Sequence, residues 1–142
     1  MLVKEIITIT DENFIQLSKL MNQLSNRIEL ANKETVEKII SEPNTKILAA
    51  INEKEEIIGI LTVVFIHILS GKKARIEDLV VLDNMRGKGI GQELINYSFD
   101  LCKRNNIQFI DLTSHPDRIA ANKLYKNMNF VQGTTNVYRK YI

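Results

Sequence analysis

A short glycine-rich, basic segment is the part of this sequence whose residue types most directly suggest chemistry. Residues 86–91 read Arg-Gly-Lys-Gly-Ile-Gly and stand between a strand-like run and a helical pattern. The first backbone N–H groups of a helix have no intrahelical acceptor, and the helix dipole adds positive potential there. Glycines let the backbone approach a ligand closely, and the two cations add full charge. The segment therefore predicts a seat for a phosphate or pyrophosphate at a helix start.

Two common nucleotide-binding motifs do not fit this segment. A P-loop requires Gly-x-x-x-x-Gly-Lys-Ser/Thr, and the sequence contains no such run. The dinucleotide fingerprint Gly-x-Gly-x-x-Gly fails because Gln92 stands where the third glycine belongs. Taken alone, the segment is open to two readings, a ligand-binding loop or a tight structural turn.

The elements around the loop predict a mixed α/β domain. Alternating and β-branched runs favour strands, and apolar residues at helical spacing favour amphipathic helices. In chain order the predicted elements are a strand over Val3–Thr10, a helix capped by Asp11 or Asn13 and reaching Leu24, a helix over Lys33–Ser41, strands over Lys46–Ile51, Ile57–Leu69 and Ala74–Leu82, a helix from Ile90 to about Arg104, a strand over Gln108–Thr113, a helix capped by Asp117 and running to Met128, and closing strands over Phe130–Gly133 and Asn136–Ile142. Short polar turns join the middle three strands, which favours an antiparallel meander. The length fits one domain over residues 1–142.

Two segments together resemble a known family. Arg86, Gly89 and Gly91 fit the pattern Arg/Gln-x-x-Gly-x-Gly/Ala, which resembles the coenzyme A loop of the GNAT superfamily of N-acetyltransferases. Residues 121–130 resemble that family's Ala-x-x-Leu-Tyr-x-x-x-Gly-Phe segment, with Asn129 in place of the glycine. Asparagine tolerates the left-handed conformation used at helix ends, so this departure is mild.

The resemblance implies a fold and a cosubstrate. The implied fold is a mixed, mostly antiparallel sheet of about six or seven strands flanked by about four helices, with two splayed strands that bind acetyl-coenzyme A (acetyl-CoA). The residues that it implies for cofactor binding are Leu79, Val80, Val81, Arg86, Gly87, Lys88, Gly89, Ile90, Gly91, Gln92, Thr113, Asn122 and Tyr125.

The resemblance also implies two catalytic residues. Tyr125 matches the family tyrosine, and a phenol can protonate a departing thiolate. Glu77 is the candidate general base, because strand alternation predicts that it shares a face with Leu79 and Val81. The plainer alternatives are a packing role for Tyr125, a capping role for Asn122 and a surface ion pair for Glu77.

Composition narrows the partners. The net charge is +2 without a run of like charges, which argues against a nucleic-acid partner. A single cysteine rules out an intrachain disulfide and suits a cytoplasmic location. Two histidines far apart in sequence suggest no metal cluster, and no apolar stretch is long enough to span a membrane. A homodimer is compatible with the sequence.

The predicted activity is transfer of an acetyl group from acetyl-CoA to a primary amine in a ternary complex, with a small-molecule acceptor preferred. In the resembling family the acceptor site comes from the first helices, here roughly residues 11–43, which include Asn22, Asn26, Arg27, Glu29 and Asn32. Three alternatives stay open. They are a protein or peptide acceptor, a coenzyme A-binding regulatory module without turnover, and a toxin-like enzyme acting on aminoacyl-tRNA, for which the small net charge gives little support.

Overall fold

The computed structural model describes residues 1–25 and 32–142. Its elements are β1 (Leu2–Glu5), α1 (Asp11–Leu24), α2 (Lys33–Ser41), β2 (Thr45–Ile51), β3 (Ile57–Ile68), β4 (Gly71–Val81), a short 3-10 turn (Asp83–Met85), α3 (Ile90–Arg104), β5 (Ile110–Asp111) and α4 (Ile119–Asn127). The sheet order is β1-β2-β3-β4-β5, antiparallel up to β4 and parallel between β4 and β5. The mixed α/β prediction is confirmed, with five strands in the described residues rather than six or seven.

The first two helices begin where side chains replace missing backbone acceptors. The hydroxyl of Thr10 accepts from the N–H of Asn13 at 3.1 Å, and the Asn13 side chain accepts from the N–H of Thr10 in return. The cap of α1 is therefore Thr10, and the prediction of Asp11 or Asn13 is wrong by one and three residues. Asn32 caps α2 by accepting from the N–H of Thr35 at 2.9 Å.

The sheet separates two hydrophobic clusters, one on each face. α3 packs on one face, where Leu61 and Leu94 are completely buried. α1 and α2 pack on the other, around Leu20 and Val36. β3 contributes to both clusters, which explains why its sequence is nearly continuous in apolar residues rather than alternating.

A bulge interrupts β4 in front of the glycine loop. Thr62 pairs with Glu77 and Ile60 with Val80, so Asp78 and Leu79 together oppose Leu61. Asp78 takes a positive φ of 50° at this point, a conformation that non-glycine residues rarely adopt. The bulge adds one residue to β4 and so reverses the alternation of its two faces. Residues on the same face before and after it, such as Ile76 and Leu79, are therefore an odd number of positions apart.

β4 and β5 pair over a short distance. Ala74 is opposite Ile110 and Arg75 is opposite Asp111, and within the described residues the pairing goes no further along β4. The predicted strand over 108–113 is thus reduced to two residues. The carboxyl end of β4 lies beyond this pairing, so the two strands separate toward the glycine loop.

The closing strands predicted over 130–133 and 136–142 are wrong for the single chain. Every residue from 131 to 142 is exposed, and none of them belongs to a strand. A strand is defined by hydrogen bonds to a neighbour, and within residues 1–25 and 32–142 no backbone hydrogen bond joins this segment to another strand. Strand propensity without a neighbouring edge yields an extended segment only.

Candidate acetyl-CoA site

A cleft of about 680 Å³ opens beside the carboxyl end of β4. Its walls are the end of α1, the end of β4, the glycine loop with the start of α3, and the first two turns of α4. The residues predicted to bind the cofactor that line it are Leu79, Val80, Val81, Arg86, Gly87, Gly89, Ile90, Gly91, Gln92 and Tyr125. Lys88, Thr113, Asn122 and Glu77 do not line it. The cleft thus brings two sequence-distant segments, the glycine loop and α4, to one opening.

The glycine loop presents backbone donors at the cleft. Gly87 and Gly89 have φ of 76° and 79°, which side-chain-bearing residues seldom adopt, and Gly89 is the N-cap of α3. In the described part of the chain, no protein acceptor is paired with the backbone N–H of any residue from 87 to 92. These free donors at a helix N-terminus form the electrostatic environment that an anion prefers.

The two cations of the loop are placed differently. The Arg86 guanidinium forms an ion pair with Asp83 at 2.7 Å, and its side chain is 60% exposed at the cleft. A guanidinium has five N–H donors, so one carboxylate leaves others available to a ligand. Lys88 points toward Met85, with its Nζ 3.5 Å from the Met85 sulfur, and lines a neighbouring depression instead.

Gly91 has a packing role that the sequence did not reveal. A Cβ at this position would lie 3.2 Å from Leu124 Cδ2, closer than side chains normally approach. The missing side chain therefore lets α3 and α4 come together beside the cleft. From the sequence, Gly91 was predicted only to let the backbone approach a ligand closely.

Tyr125 lies on the α4 wall, half-buried. Its ring meets Phe130 edge-on at 5.8 Å between centroids, and Phe130 also contacts Phe99 of α3. Burial raises the pKa of the Tyr125 phenol, and the Arg118 charge partly opposes this. The phenol consequently stays protonated throughout the physiological range, which suits a proton donor.

Asn122 fastens the turn before α4. Its side-chain amide donates to the carbonyls of His115 and Arg118, both at 2.9 Å. The sequence left a capping role open for Asn122, and these contacts fit that alternative. Asn122 does not line the cleft, and it influences the cleft through the turn that it stabilises.

Glu77 lies on the face of β4 opposite to Leu79 and Val81, so the predicted shared face is wrong. Ile76 before the bulge and Leu79 and Val81 after it all contact the α3-side cluster. Glu77 therefore points to the other side, together with Arg75, with which it forms an ion pair. The bulge at Asp78 is the physical reason, because it removes the period of two on which the prediction depended.

Thr113 is held by the same arginine. Arg75 Nη2 donates to its hydroxyl at 3.2 Å. Its neighbour Ser114 has a buried hydroxyl that, in the part of the chain described, has no hydrogen-bond partner. A buried unpaired hydroxyl is uncommon in folded proteins, but neither Thr113 nor Ser114 lines the cleft.

Two contacts across the cleft were not foreseen from the sequence. Gln23 of α1 donates to the carbonyl of Val81 at 3.3 Å, and Arg118 donates to the carbonyl of Leu24 at 3.4 Å. They tie the end of α1 to β4 and to the start of α4. Both link residues 58 or more positions apart, and no local pattern signals such a pair.

The sequence pattern of the Acetyltransferase (GNAT) family matches residues 12–130. The chain therefore belongs to the GNAT acetyltransferase family. A search of curated proteins gave no match.

Solved structures share the fold over nearly the whole chain. A putative acetyltransferase from Agrobacterium tumefaciens has 20% identity and a TM-score of 0.84, covering 99% of this chain and 100% of that one. An aminoglycoside acetyltransferase from an uncultured soil metagenomic sample has 21% identity and a TM-score of 0.84, over 99% and 95% of the two chains. An aminoglycoside 6'-N-acetyltransferase from Acinetobacter haemolyticus has 16% identity and a TM-score of 0.81, over 100% and 99%. At these identities the likeness establishes the fold.

Two further features are absent from the described residues. None of their helices combines the length and apolar character needed to traverse a lipid bilayer. Within the same residues, no three histidine, cysteine, aspartate or glutamate side chains are grouped in a way that suits a metal ion.

Proposed function

We propose that this protein transfers an acetyl group from acetyl-CoA to a primary amine of a small molecule, by direct attack in a ternary complex. The observation that supports this most is the row of unpaired backbone N–H groups over residues 87–92, placed at one end of the cleft that also contains Tyr125. The donors suit a pyrophosphate and the phenol suits a leaving thiolate. No metal is required by this scheme.

Different residues of the cleft are proposed to bind different parts of acetyl-CoA. The loop N–H groups and Arg86 hold the pyrophosphate, and the end of β4 offers backbone groups from Leu79 to Val81 to the pantetheine arm. The N–H of Val80 or Val81 is the candidate donor to the thioester oxygen.

Tyr125 acts at the leaving group. The neutral amine attacks the thioester carbon and forms a C–N bond. The C–S bond then breaks, and the thiolate takes the phenol proton of Tyr125. The phenolate regains a proton from solvent, and the amine loses its extra proton to a base. Because burial raises its pKa, Tyr125 begins each cycle in the protonated form.

Glu77 remains the proposed base, acting through water. It lies on the α1 and α2 face of the sheet, the side on which the acceptor is expected, and it forms an ion pair with Arg75. This arrangement separates the two proton-transfer groups, with the base on one face of β4 and the acid on α4.

The acceptor is proposed to enter beside α1. Gln23 and Leu24, at the end of α1, line the cleft. Asn26, Arg27 and Glu29 of that region lie outside the described residues. The structural neighbours include aminoglycoside acetyltransferases, one of them in complex with sisomicin, a small amine-bearing ligand. This supports a small-molecule acceptor over a peptide, and a cytoplasmic site of action follows from the need for acetyl-CoA.

The test combines turnover with cofactor binding. Release of free thiol from acetyl-CoA is measured against a panel of aminoglycosides, polyamines and peptides, and binding of acetyl-CoA is measured by calorimetry. Turnover with a small amine is expected. Arg86→Glu should weaken cofactor binding about 10- to 100-fold, because one charge-assisted contact becomes a repulsion.

Lys103→Glu is the matched control, since Lys103 is an exposed cation at the far end of α3. It should leave the affinity unchanged. Equal affinity in the Arg86→Glu variant would contradict the pyrophosphate site. Tight cofactor binding without turnover on any amine would favour a regulatory coenzyme A-binding module instead.

A further inference from the structure

The last turn of α1 is tied to both neighbouring walls of the cleft. Gln23 Nε2 donates to the Val81 carbonyl of β4 at 3.3 Å, and Arg118 Nη2 donates to the Leu24 carbonyl at 3.4 Å. The Leu24 carbonyl ends α1 and has no intrahelical donor, so Arg118 satisfies a group that the helix itself cannot. All four residues line the cleft. The end of α1 is therefore held in place at the side of the cleft.

Val81 directs its backbone groups into the cleft. Leu82 donates its N–H to the Ile58 carbonyl of β3 at 2.9 Å, and Gly59 is the residue opposite Val81. Alternate residues of a strand bond to opposite sides, so Val81 turns its N–H and C=O away from β3 and toward the side where β5 has separated. The carbonyl that binds Gln23 thus lies beside the Val81 N–H, one of the two candidate donors to the thioester oxygen.

The hydrogen bond to Val81 fixes which end of the Gln23 amide is left for a ligand. A glutamine amide has donors on its nitrogen and an acceptor oxygen. Because the nitrogen faces Val81, the oxygen Oε1 is on the other side of the amide group, and within residues 1–25 and 32–142 it accepts no hydrogen bond. Gln23 is half-buried in the wall of the cleft. A free acceptor at this position suits a ligand that donates an N–H.

We propose that the side-chain oxygen of Gln23 binds the attacking nitrogen of the acceptor by accepting one of its N–H groups. This inference rests on the proposed acetyl transfer and names the residue that positions the amine in it. A neutral primary amine has two N–H groups and one lone pair. With one N–H on Gln23, the lone pair faces the thioester carbon beside Val81, and the second N–H is left for the water that leads to Glu77. Orienting the nucleophile raises the rate, because fewer orientations of the bound amine are unproductive.

A neutral amide suits this task better than a carboxylate. The amine must be unprotonated to attack, and a carboxylate beside it would favour the ammonium form. In the described part of the chain, the charged side chains that line the cleft are those of Arg86, Asp117 and Arg118. Gln23 adds an acceptor for the amine to this lining without adding a negative charge.

Gln23→Met removes the amide and keeps the length and helix propensity of the side chain. The KM for sisomicin or spermidine should rise about 10-fold, because one hydrogen bond to the amine is lost. The dissociation constant of acetyl-CoA should stay within about threefold of that of the parent chain, because the proposed contact is to the amine. Thiol-release kinetics and calorimetry measure the two quantities. Gln108→Met is the matched control, since Gln108 is exposed and does not line the cleft, and it should change neither.

Gln23→Glu separates the two ends of the amide. It keeps an acceptor oxygen and loses the donor to Val81, so the KM for the amine should stay within about threefold of that of the parent chain. The kcat should nevertheless fall about 10-fold, because the carboxylate favours the ammonium form of the bound amine. A merely structural role of the amide would not divide KM and kcat between the two variants in this way.

The competing arrangement is that Gln23 only occupies the Val81 carbonyl until acetyl-CoA displaces it. Gln23→Met would then bind acetyl-CoA more tightly and keep the parent KM for the amine, and Gln23→Glu would behave like Gln23→Met. Either result would overturn the proposal. A parent chain that binds acetyl-CoA but acetylates neither sisomicin nor spermidine would contradict the small-molecule acceptor itself, and this role of Gln23 with it.

Discussion

Residues 1–107 and residues 108–142 differ in how deeply their side chains are buried. Every buried residue of the described chain falls in the first region, and Cys102 is the last of them. The second region has none, although it contains Tyr125, Asn122, Arg118 and Ser114. The first region is a packed scaffold that also contains the glycine loop and Glu77, whereas the second supplies Tyr125, the proposed acid.

The second region contacts the first through partly buried side chains rather than fully buried ones. The ring of Phe130 packs on Phe99, Leu124 fits against Gly91, and Arg118 reaches the carbonyl of Leu24. Elements with few buried contacts tend to open locally at low free energy. A ligand that bridges both regions should therefore order the second one, and the following experiments test this difference.

The largest effect is expected in the scaffold. Leu61→Ala removes a fully buried side chain from the α3-side cluster and should lower the free energy of unfolding by about 2–5 kcal/mol. Ile119→Ala in the second region is the control, with a side chain 77% exposed, and should change it by less than about 0.5 kcal/mol. Urea unfolding at neutral pH measures both. Similar losses in the two variants would remove the contrast between the regions.

Turnover should depend on the second region instead. Tyr125→Phe keeps the ring against Phe130 but removes the acidic proton, so kcat should fall about 100-fold. The dissociation constant of acetyl-CoA should change less than about threefold. Steady-state kinetics and calorimetry measure the two quantities. Tyr97→Phe is the matched control, because Tyr97 lies on α3 beside Arg104 and does not line the cleft, and it should retain full activity. An unimpaired Tyr125→Phe variant would leave the phenol with a packing role only.

Cys102 is the last buried residue along the chain, and its thiol gives a pH-dependent test of the first region. Burial raises the pKa of its thiol from 9.0 to about 11. Between these values the unfolded chain loses the proton while the folded chain keeps it, so the free energy of unfolding falls as pH rises. The loss should reach about 2 kcal/mol near pH 11 and be absent below about pH 8. Unfolding at several pH values should show this decline in the parent chain and a shallower one in Cys102→Ala. Parallel declines in the two proteins would show that the thiol is not the cause.

The smallest effect concerns the turn before α4. Asn122→Ala removes two hydrogen bonds to the carbonyls of His115 and Arg118, and local stability should fall by about 1 kcal/mol. Amide exchange over residues 115–122 should accelerate about fivefold, while α3 is unaffected. Saturating acetyl-CoA should restore the protection. Exchange that is equally fast in the parent chain would mean that the turn is not held by this side chain.

Several features were readable from local patterns. α2 was predicted with its observed bounds, because proline after Glu42 and a short apolar stripe define it locally. The glycine loop was predicted because its positive-φ positions, Gly87 and Gly89, require glycine wherever such a turn occurs. The placement of Tyr125 on a helix followed from the 3.6-residue period around it.

Other features required contacts between distant residues. The bulge at Asp78 is fixed by its register against β3, and it reversed the predicted face of Glu77. Gln23 and Arg118 meet their partners only after the sheet and α1 have packed. Residues 131–142 have the composition of a strand, but whether a strand forms there depends on an adjacent strand edge.

The sequence by itself determined the family, the type and order of the elements up to α4 and the loop that suits a pyrophosphate, because these depend on dihedral preferences and on spacing within a few residues. It did not determine the bounds of β1 and β5, which end up as Leu2–Glu5 and Ile110–Asp111. The tertiary structure decided which side of β4 Glu77 faces, how α4 is fastened beside the cleft, and that residues 131–142 form no strand in the single chain. Those outcomes depend on strand register and on which surfaces come together, and neither is encoded in any single local run.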